Sequence, residues 1–130
     1  MKILVGYDGS NVSKEAISLA EQHADSFKAE IILVRSMVGG PEVPREDFEI
    51  AENNLAYEKN RLLDNKISCE SVLSVRGLEA GEDLVRLADE NKVDEIIIGV
   101  RRRSKVGKLL FGSTAQFVIL HAPCPVVSVK

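Results

Sequence analysis

Apolar residues in this chain fall into five short runs, separated by longer segments in which apolar residues recur at helical spacing. Three of the runs, Lys2–Gly6, Glu30–Val34 and Glu95–Gly99, are apolar at nearly every position. A strand that is covered on both faces has this pattern, as in a parallel sheet. The other two runs predict strands at Ser71–Val75 and Pro125–Val129.

The segments between the runs have the spacing of amphipathic helices. In the first segment, for example, Ile17, Ala20 and Ala24 recur on one helical face. Each segment is long enough to connect two parallel strands. The alternation predicts an α/β fold, a single-domain doubly wound parallel sheet with helices on both faces that spans residues 1–130. The predicted helices are Ser13–Phe27, Arg45–Asn65, Glu79–Asn91 and Ser113–His121.

The composition fits a soluble globular domain, with 45% hydrophobic and 28% charged residues in a chain of 130. It excludes a wholly disordered chain and a disulfide scaffold. No apolar run approaches the roughly 18 residues of a membrane-spanning helix, and the apolar start is too short for a signal peptide. The two cysteines, Cys69 and Cys124, form no paired motif. We therefore expect a cytoplasmic protein with reduced thiols and no membrane contact.

Positive charge is concentrated in the last third of the chain, although the formal net charge of the whole chain is −3. Residues 91–130 contain seven basic and two acidic side chains. This local positive field favours a small anionic ligand. A nucleic-acid partner is disfavoured, because the chain is acidic overall and its four Phe and two Tyr are too few for a stacking platform.

Polar residues follow the first two predicted strands, where ligands bind in open α/β sheets. Asp8 lies at the carboxyl end of strand one, and Ser10 or Asn11 can cap the next helix. The Asp8 carboxylate can accept hydrogen bonds from a ribose hydroxyl or a base amine, or it can serve only as the helix cap. Ser36, at the end of strand two, can line an adenine-sized slot or simply close the core.

The connection from Gly99 to Ser113 is long for a strand-to-helix loop and contains five cations in eight residues. It ends in Gly112, Ser113 and Thr114, where backbone N–H groups and a helix dipole favour a phosphate. The alternative is a solvated charged loop with Ser113 or Thr114 as an ordinary helix cap. Phosphate-loop, dinucleotide and hydrolase motifs are absent, and no nucleophile stands beside a base. We predict no catalytic residue and no metal ligand, with at most weak ATPase activity.

In order and spacing, several segments together resemble the universal stress protein family, within the adenine-nucleotide alpha-hydrolase-like group. They are the start KILVGYDGS, the helix segment 16–20, Gly77, the loop 99–113 and the ending APCPVV. The resemblance implies a five-stranded parallel sheet with strand order 3-2-1-4-5. It also implies a homodimer that pairs through the last strand, Pro125–Val129, which would cover an exposed sheet edge.

Some members of that family bind ATP, and these carry two glycines separated by two residues, then nine residues, then glycine and serine or threonine. Gly99 matches the first glycine, and Gly112 with Ser113 matches the close. Arg102 stands at the middle glycine position, which is a departure from the family pattern. Its side chain either binds phosphate by charge or fills the pocket.

The resemblance also assigns residues around the base and ribose. Asp8 matches the family's acidic residue there, and Ile98 matches an apolar contact before the glycine loop. Ser36 aligns with a position that packs on adenine and is usually aliphatic. The predicted nucleotide-binding residues are Asp8, Ser10, Ser36, Ile98, Gly99, Arg102, Gly112, Ser113 and Thr114.

Two functions fit these residues. In the first, the chain is a stress-related regulatory protein that binds ATP or AMP at the carboxyl ends of strands one and four. Hydrolysis is then at most slow, and Mg²⁺ or Mn²⁺ is held through the phosphates and water. In the second, the chain is a dimeric protein-interaction module without nucleotide, and its arginine-rich loop docks an acidic partner protein. The arginine at position 102 favours the second function.

Overall fold

The computed structural model describes residues 1–100 and 112–130, which form one five-stranded parallel sheet flanked by helices. The strand order is β3-β2-β1-β4-β5, so the predicted fold class and the predicted order 3-2-1-4-5 are confirmed. The elements are β1 (Lys2–Gly6), α1 (Asn11–Phe27), β2 (Glu30–Met37), α2 (Arg45–Asp64), β3 (Cys69–Val75), α3 (Ala80–Glu90), β4 (Glu95–Gly99), α4 (Ser113–His121) and β5 (Val126–Val129).

Alternate residues of the strands feed two separate apolar cores, one on each face of the sheet. On one face, Ile3 and Val5 of β1 pack with residues of α1 and α2. On the other face, Leu4 packs with residues of α3 and α4, among them Leu84 and Val118. Because β1, β2 and β4 are buried on both faces, their sequences are apolar at consecutive positions rather than at every second one.

The second strand is longer than its apolar run. The pattern predicts an end at Val34, but β2 pairs with β3 as far as Met37, opposite Val75, and the shorter strand is wrong. The three additional residues include Arg35 and Ser36, whose polar side chains lie at the carboxyl end of the sheet. These three residues are half-buried, so the backbone ladder of β2 continues after its fully buried apolar run has ended.

The winding of the sheet reverses beside β1. The chain runs from β1 outward through β2 to β3, and then returns to place β4 on the other side of β1. The loop after β1 therefore leads to α1 on one face of the sheet, and the loop after β4 leads to α4 on the other face. A crevice is left between these two loops at the carboxyl ends of the strands. Within residues 1–100 and 112–130, no helix has the length and apolar character needed to cross a membrane.

Candidate functional site

A cavity of about 340 Å³ opens at this reversal point, between the carboxyl ends of β1, β2 and β4 and the first turns of three helices. Its volume is at the lower end of the range for small-molecule sites. Arg102, with the rest of the basic run, lies outside the described residues. The other eight predicted site residues all line the cavity: Asp8, Ser10, Ser36, Ile98, Gly99, Gly112, Ser113 and Thr114.

A tight turn after β1 presents Asp8 to the cavity. The Asp8 carboxylate accepts a hydrogen bond from the Ser10 N–H at 2.9 Å, and Gly9 between them has a φ of +83°, which favours glycine. The Ser10 hydroxyl in turn accepts from the Ser13 N–H at 3.2 Å and is the cap of α1. Ser10 therefore caps this helix, and the exposed Asp8 shapes the loop before it.

Gly99 allows α1 and β4 to approach each other closely. A Cβ atom at this position would lie 2.8 Å from the backbone carbonyl carbon and oxygen of Val12, nearer than real Cβ contacts come. The missing side chain lets the first turn of α1 rest directly on the end of β4. These two elements then form one continuous wall of the cavity.

The first turn of α4 supplies the part of the wall that is suited to an anion. Gly112 is the N-cap residue, no side chain in residues 1–100 or 112–130 caps the helix, and its first turn contains no acidic residue. Ser113 and Thr114 are the next two residues, and their backbone N–H groups are those that a helix start leaves unpaired. Neither Ser113 nor Thr114 is the helix cap. A helix start of this kind attracts negatively charged groups.

The opposite wall, formed by β2 and α3, is mostly apolar. Val34 and Leu84 are buried side chains that line it, and Ile98 of β4 closes the floor between the two walls. Ser36 is the polar side chain that β2 contributes. Among the described residues, the cavity thus joins a surface suited to an anion at one end to an apolar surface that carries the Ser36 hydroxyl at the other.

Comparison with known proteins identifies the family to which this arrangement belongs. The family model for the universal stress protein family matches residues 1–130. The chain belongs to the universal stress protein family. A universal stress protein of Thermus aquaticus is 33% identical, with 98% of this chain and 97% of the relative covered.

Solved universal stress protein structures share the fold. One from Archaeoglobus fulgidus superimposes with a TM-score of 0.90 at 35% identity, covering 100% of this chain and 98% of that one. The structure of the universal stress protein from Archaeoglobus fulgidus in complex with dAMP has a TM-score of 0.85 at 31% identity, again covering 100% of this chain and 98% of the other.

In this member of the universal stress protein family, a buried carboxylate that the sequence pattern does not single out stands behind the cavity wall. Asp83 of α3 is 0% exposed. Its carboxylate accepts a hydrogen bond from the Ser36 hydroxyl, and the Arg76 guanidinium lies 2.7 Å from it. Burial opposes ionisation, but hydrogen bonds from Ser36, Ser74 and Arg76 and the charge of Arg76 outweigh it, so the pKa of Asp83 is lowered.

The described part of this universal stress protein offers no metal site of its own. No group of three or more His, Cys, Asp or Glu side chains in residues 1–100 and 112–130 is placed to hold a metal ion. The thiols of Cys69 and Cys124 are both free, with Cys69 buried in the sheet.

Proposed function

We propose that this chain is a regulatory protein that binds an adenine nucleotide in the cavity between β1, β2 and β4. The observation that carries the proposal is the two-ended character of the cavity. One end has the start of α4, which no described side chain caps, and the other has the apolar wall of Val34 and Leu84. A nucleotide has the same two-ended character, because its phosphate is an anion and its purine base is a largely apolar ring. A relative of the same fold, 31% identical, has a structure in complex with dAMP, which supports the proposal.

The two ends also favour one orientation of the ligand. The phosphates of ATP or AMP would lie against the backbone of Gly112 to Thr114, and the base would lie between Leu84 and the end of β2. Asp8, on the loop after β1, lines the cavity, and we place the ribose beside it, where the Asp8 carboxylate would accept hydrogen bonds from the ribose hydroxyls. Mg²⁺ or Mn²⁺ would be held by the phosphates and water.

Binding without rapid turnover is the activity that this lining favours. Hydrolysis at a useful rate requires a base positioned to activate water. The chain has two histidines, and neither His23 nor His121 is among the residues that line the cavity. We therefore propose that any hydrolysis of ATP is slow, and that occupancy by nucleotide is the regulatory state.

Calorimetric titration of the protein with AMP and with ATP and Mg²⁺ tests the proposal. Ala80, a half-buried residue of the cavity wall, is replaced by tryptophan to fill the cavity. Ala56→Trp is the matched control, because Ala56 is exposed on α2 and does not line the cavity. We expect binding by the unsubstituted protein and by Ala56→Trp, and at least about tenfold weaker binding by Ala80→Trp, a loss of about 1.4 kcal/mol. An unsubstituted protein that binds neither nucleotide at millimolar concentration would refute the proposal.

We also propose that two copies of the chain pair through β5, which is an edge of the sheet. The carbonyl oxygens of Pro125 and Val129 accept hydrogen bonds from the N–H groups of Ile96 in β4 and of Val100, which follows β4. Because strand residues alternate in direction, Val126 and Ser128 direct their backbone groups toward the open edge. An edge strand of this kind is normally covered by another chain or protected by charge.

Replacing Ser128 by proline tests the dimer. The substitution removes one outward N–H group and leaves the ladder between β4 and β5 in place. We expect a dimer for the unsubstituted protein and for Ser128→Ala, and a monomer with unchanged circular dichroism for Ser128→Pro, by light scattering after gel filtration. A monomeric unsubstituted protein would contradict this proposal.

A further inference from the structure

The hydroxyl of Ser36 belongs both to the cavity and to the buried network behind it. Ser36 lines the cavity, and its Oγ donates a hydrogen bond to Oδ2 of Asp83 on α3. Asp83 is fully buried, and Arg76 lies against its other oxygen at 2.7 Å. The carboxylate is thus fixed in position by charge, burial and the packing of α3 on the sheet.

This network determines which way the hydroxyl proton of Ser36 points. The pKa of Asp83 is lowered, so the group is an ionised carboxylate at neutral pH and can only accept hydrogen bonds. Ser36 must therefore be the donor in the pair. A serine hydroxyl has one proton and two lone pairs, and here the proton is already engaged. Toward the cavity, Ser36 offers acceptor capacity alone.

The orientation of the Ser36 hydroxyl matters at the end of the cavity that would hold the base of a nucleotide. The start of α4, where we place the phosphates, is on the β4 side, so the base of a bound nucleotide would lie on the β2 side, against Val34, Leu84 and Ser36. Among the described residues, the side chains that line this wall beside Ser36, Val34 and Leu84, are apolar, so the Ser36 oxygen is the side-chain acceptor that a ligand group meets there. An acceptor on the base that faced it would leave two lone pairs opposed in a poorly hydrated site.

We propose that Ser36, held by Asp83, is a specificity-determining residue that selects a base carrying an amino group on the edge facing β2. The amino group donates a hydrogen bond to the Ser36 oxygen. A base without a donor on that edge cannot form this hydrogen bond. Asp83 acts through Ser36 and is a positioning residue. This inference rests on the proposed nucleotide binding, and it extends that proposal by naming what reads the base.

The test compares AMP with purine riboside monophosphate, which has a hydrogen atom where AMP has its exocyclic amino group. The two ligands share phosphate, ribose and ring, so the ratio of their dissociation constants isolates the amino group. We expect the unsubstituted protein to prefer AMP by about tenfold, the factor that one hydrogen bond in a partly buried site supplies. In Ser36→Ala the preference should fall to about twofold or less, with binding of purine riboside monophosphate retained.

Ser74→Ala is the matched control for indirect effects. Ser74 hydrogen-bonds the same carboxylate but is not among the residues lining the cavity, so its removal should leave the ratio near tenfold. Asp83→Asn gives the complementary test. An amide can donate a hydrogen bond to the Ser36 oxygen, and the O–H group of Ser36 is then able to turn toward the ligand. We expect its ratio to fall as in Ser36→Ala, at unchanged circular dichroism. If Asp83→Asn does not fold, the comparison of Ser36→Ala with Ser74→Ala is sufficient.

Each outcome of the titrations has a definite meaning. An unsubstituted protein that binds both ligands equally overturns the inference and leaves nucleotide binding intact. A preference that survives in Ser36→Ala also overturns it, since another group must then read the base. Failure of the unsubstituted protein to bind either ligand overturns the proposed function itself.

Discussion

Replacement of Gly99 by alanine measures how much the cavity depends on the contact between β4 and α1. The added Cβ atom would lie 2.8 Å from the backbone of Val12, whereas carbon atoms pack best at about 3.5–4.0 Å. Backbone cannot rotate away, so α1 or β4 must shift by about 0.7 Å or more. Overpacking of this kind costs about 1–3 kcal/mol. The entropy that alanine removes from the unfolded chain offsets about 0.4–1 kcal/mol of this cost.

We therefore expect Gly99→Ala to lower the free energy of unfolding by about 1–2 kcal/mol, measured by urea denaturation followed by circular dichroism. Gly112→Ala is the matched control, because a Cβ there has no neighbour within 4 Å among the described residues and the backbone is not in the left-handed region. Both variants change the unfolded chain in the same way, and alanine is also a poorer N-cap residue than glycine at position 112, so a lower midpoint for Gly99→Ala than for Gly112→Ala reports the contact. Equal midpoints for the two variants would refute the close-approach argument.

Three further predictions concern single side chains. Because the pKa of Asp83 is lowered by folding, its contribution to stability is present above its ordinary pKa of 3.8 and is lost as the pH falls through the folded value. Between about pH 5 and about pH 3, the free energy of unfolding in urea should therefore fall less for Asp83→Asn than for the unsubstituted protein. An equal fall for the two proteins would contradict this. Burial raises the pKa of the Cys69 thiol to about 11, so in Cys124→Ser a thiol reagent at about pH 8 should react only after denaturant is added. Rapid labelling of the folded variant would contradict this. Ser10→Ala should lower the free energy of unfolding by about 1 kcal/mol through loss of the α1 cap, and an unchanged urea midpoint would show that the cap contributes nothing.

The element order was predictable because each apolar run and each helical stripe is a local pattern. The strand end at Met37 was not, because Arg35 and Ser36 interrupt the apolar pattern while their backbone still pairs with β3. Polar residues that continue a buried strand at its carboxyl end are a sign of a site rather than of a loop. Ser36 was a candidate through its family position, but its hydrogen bond to Asp83 joins residues 47 apart in the chain.

Asp83 itself was missed because a carboxylate in an amphipathic helix usually faces water. Its position does carry information, since Asp83 lies four residues before Leu87 and beside Leu84, on the apolar stripe of α3. The same holds in α2, where Glu58 is buried on the stripe with Leu62 and pairs with an arginine of the next turn. A charged residue on the apolar face of a predicted helix is the pattern that would have indicated both.

Amide correlation spectra of isotope-labelled protein titrated with AMP measure whether the crevice at the carboxyl ends of β1 and β4 holds an adenine nucleotide. We expect saturating shifts that concentrate on the amides of Asp8, Ser36, Gly99 and Ser113, with α2 unaffected. Spectra that do not change at millimolar AMP, or shifts that concentrate on α2, would contradict it.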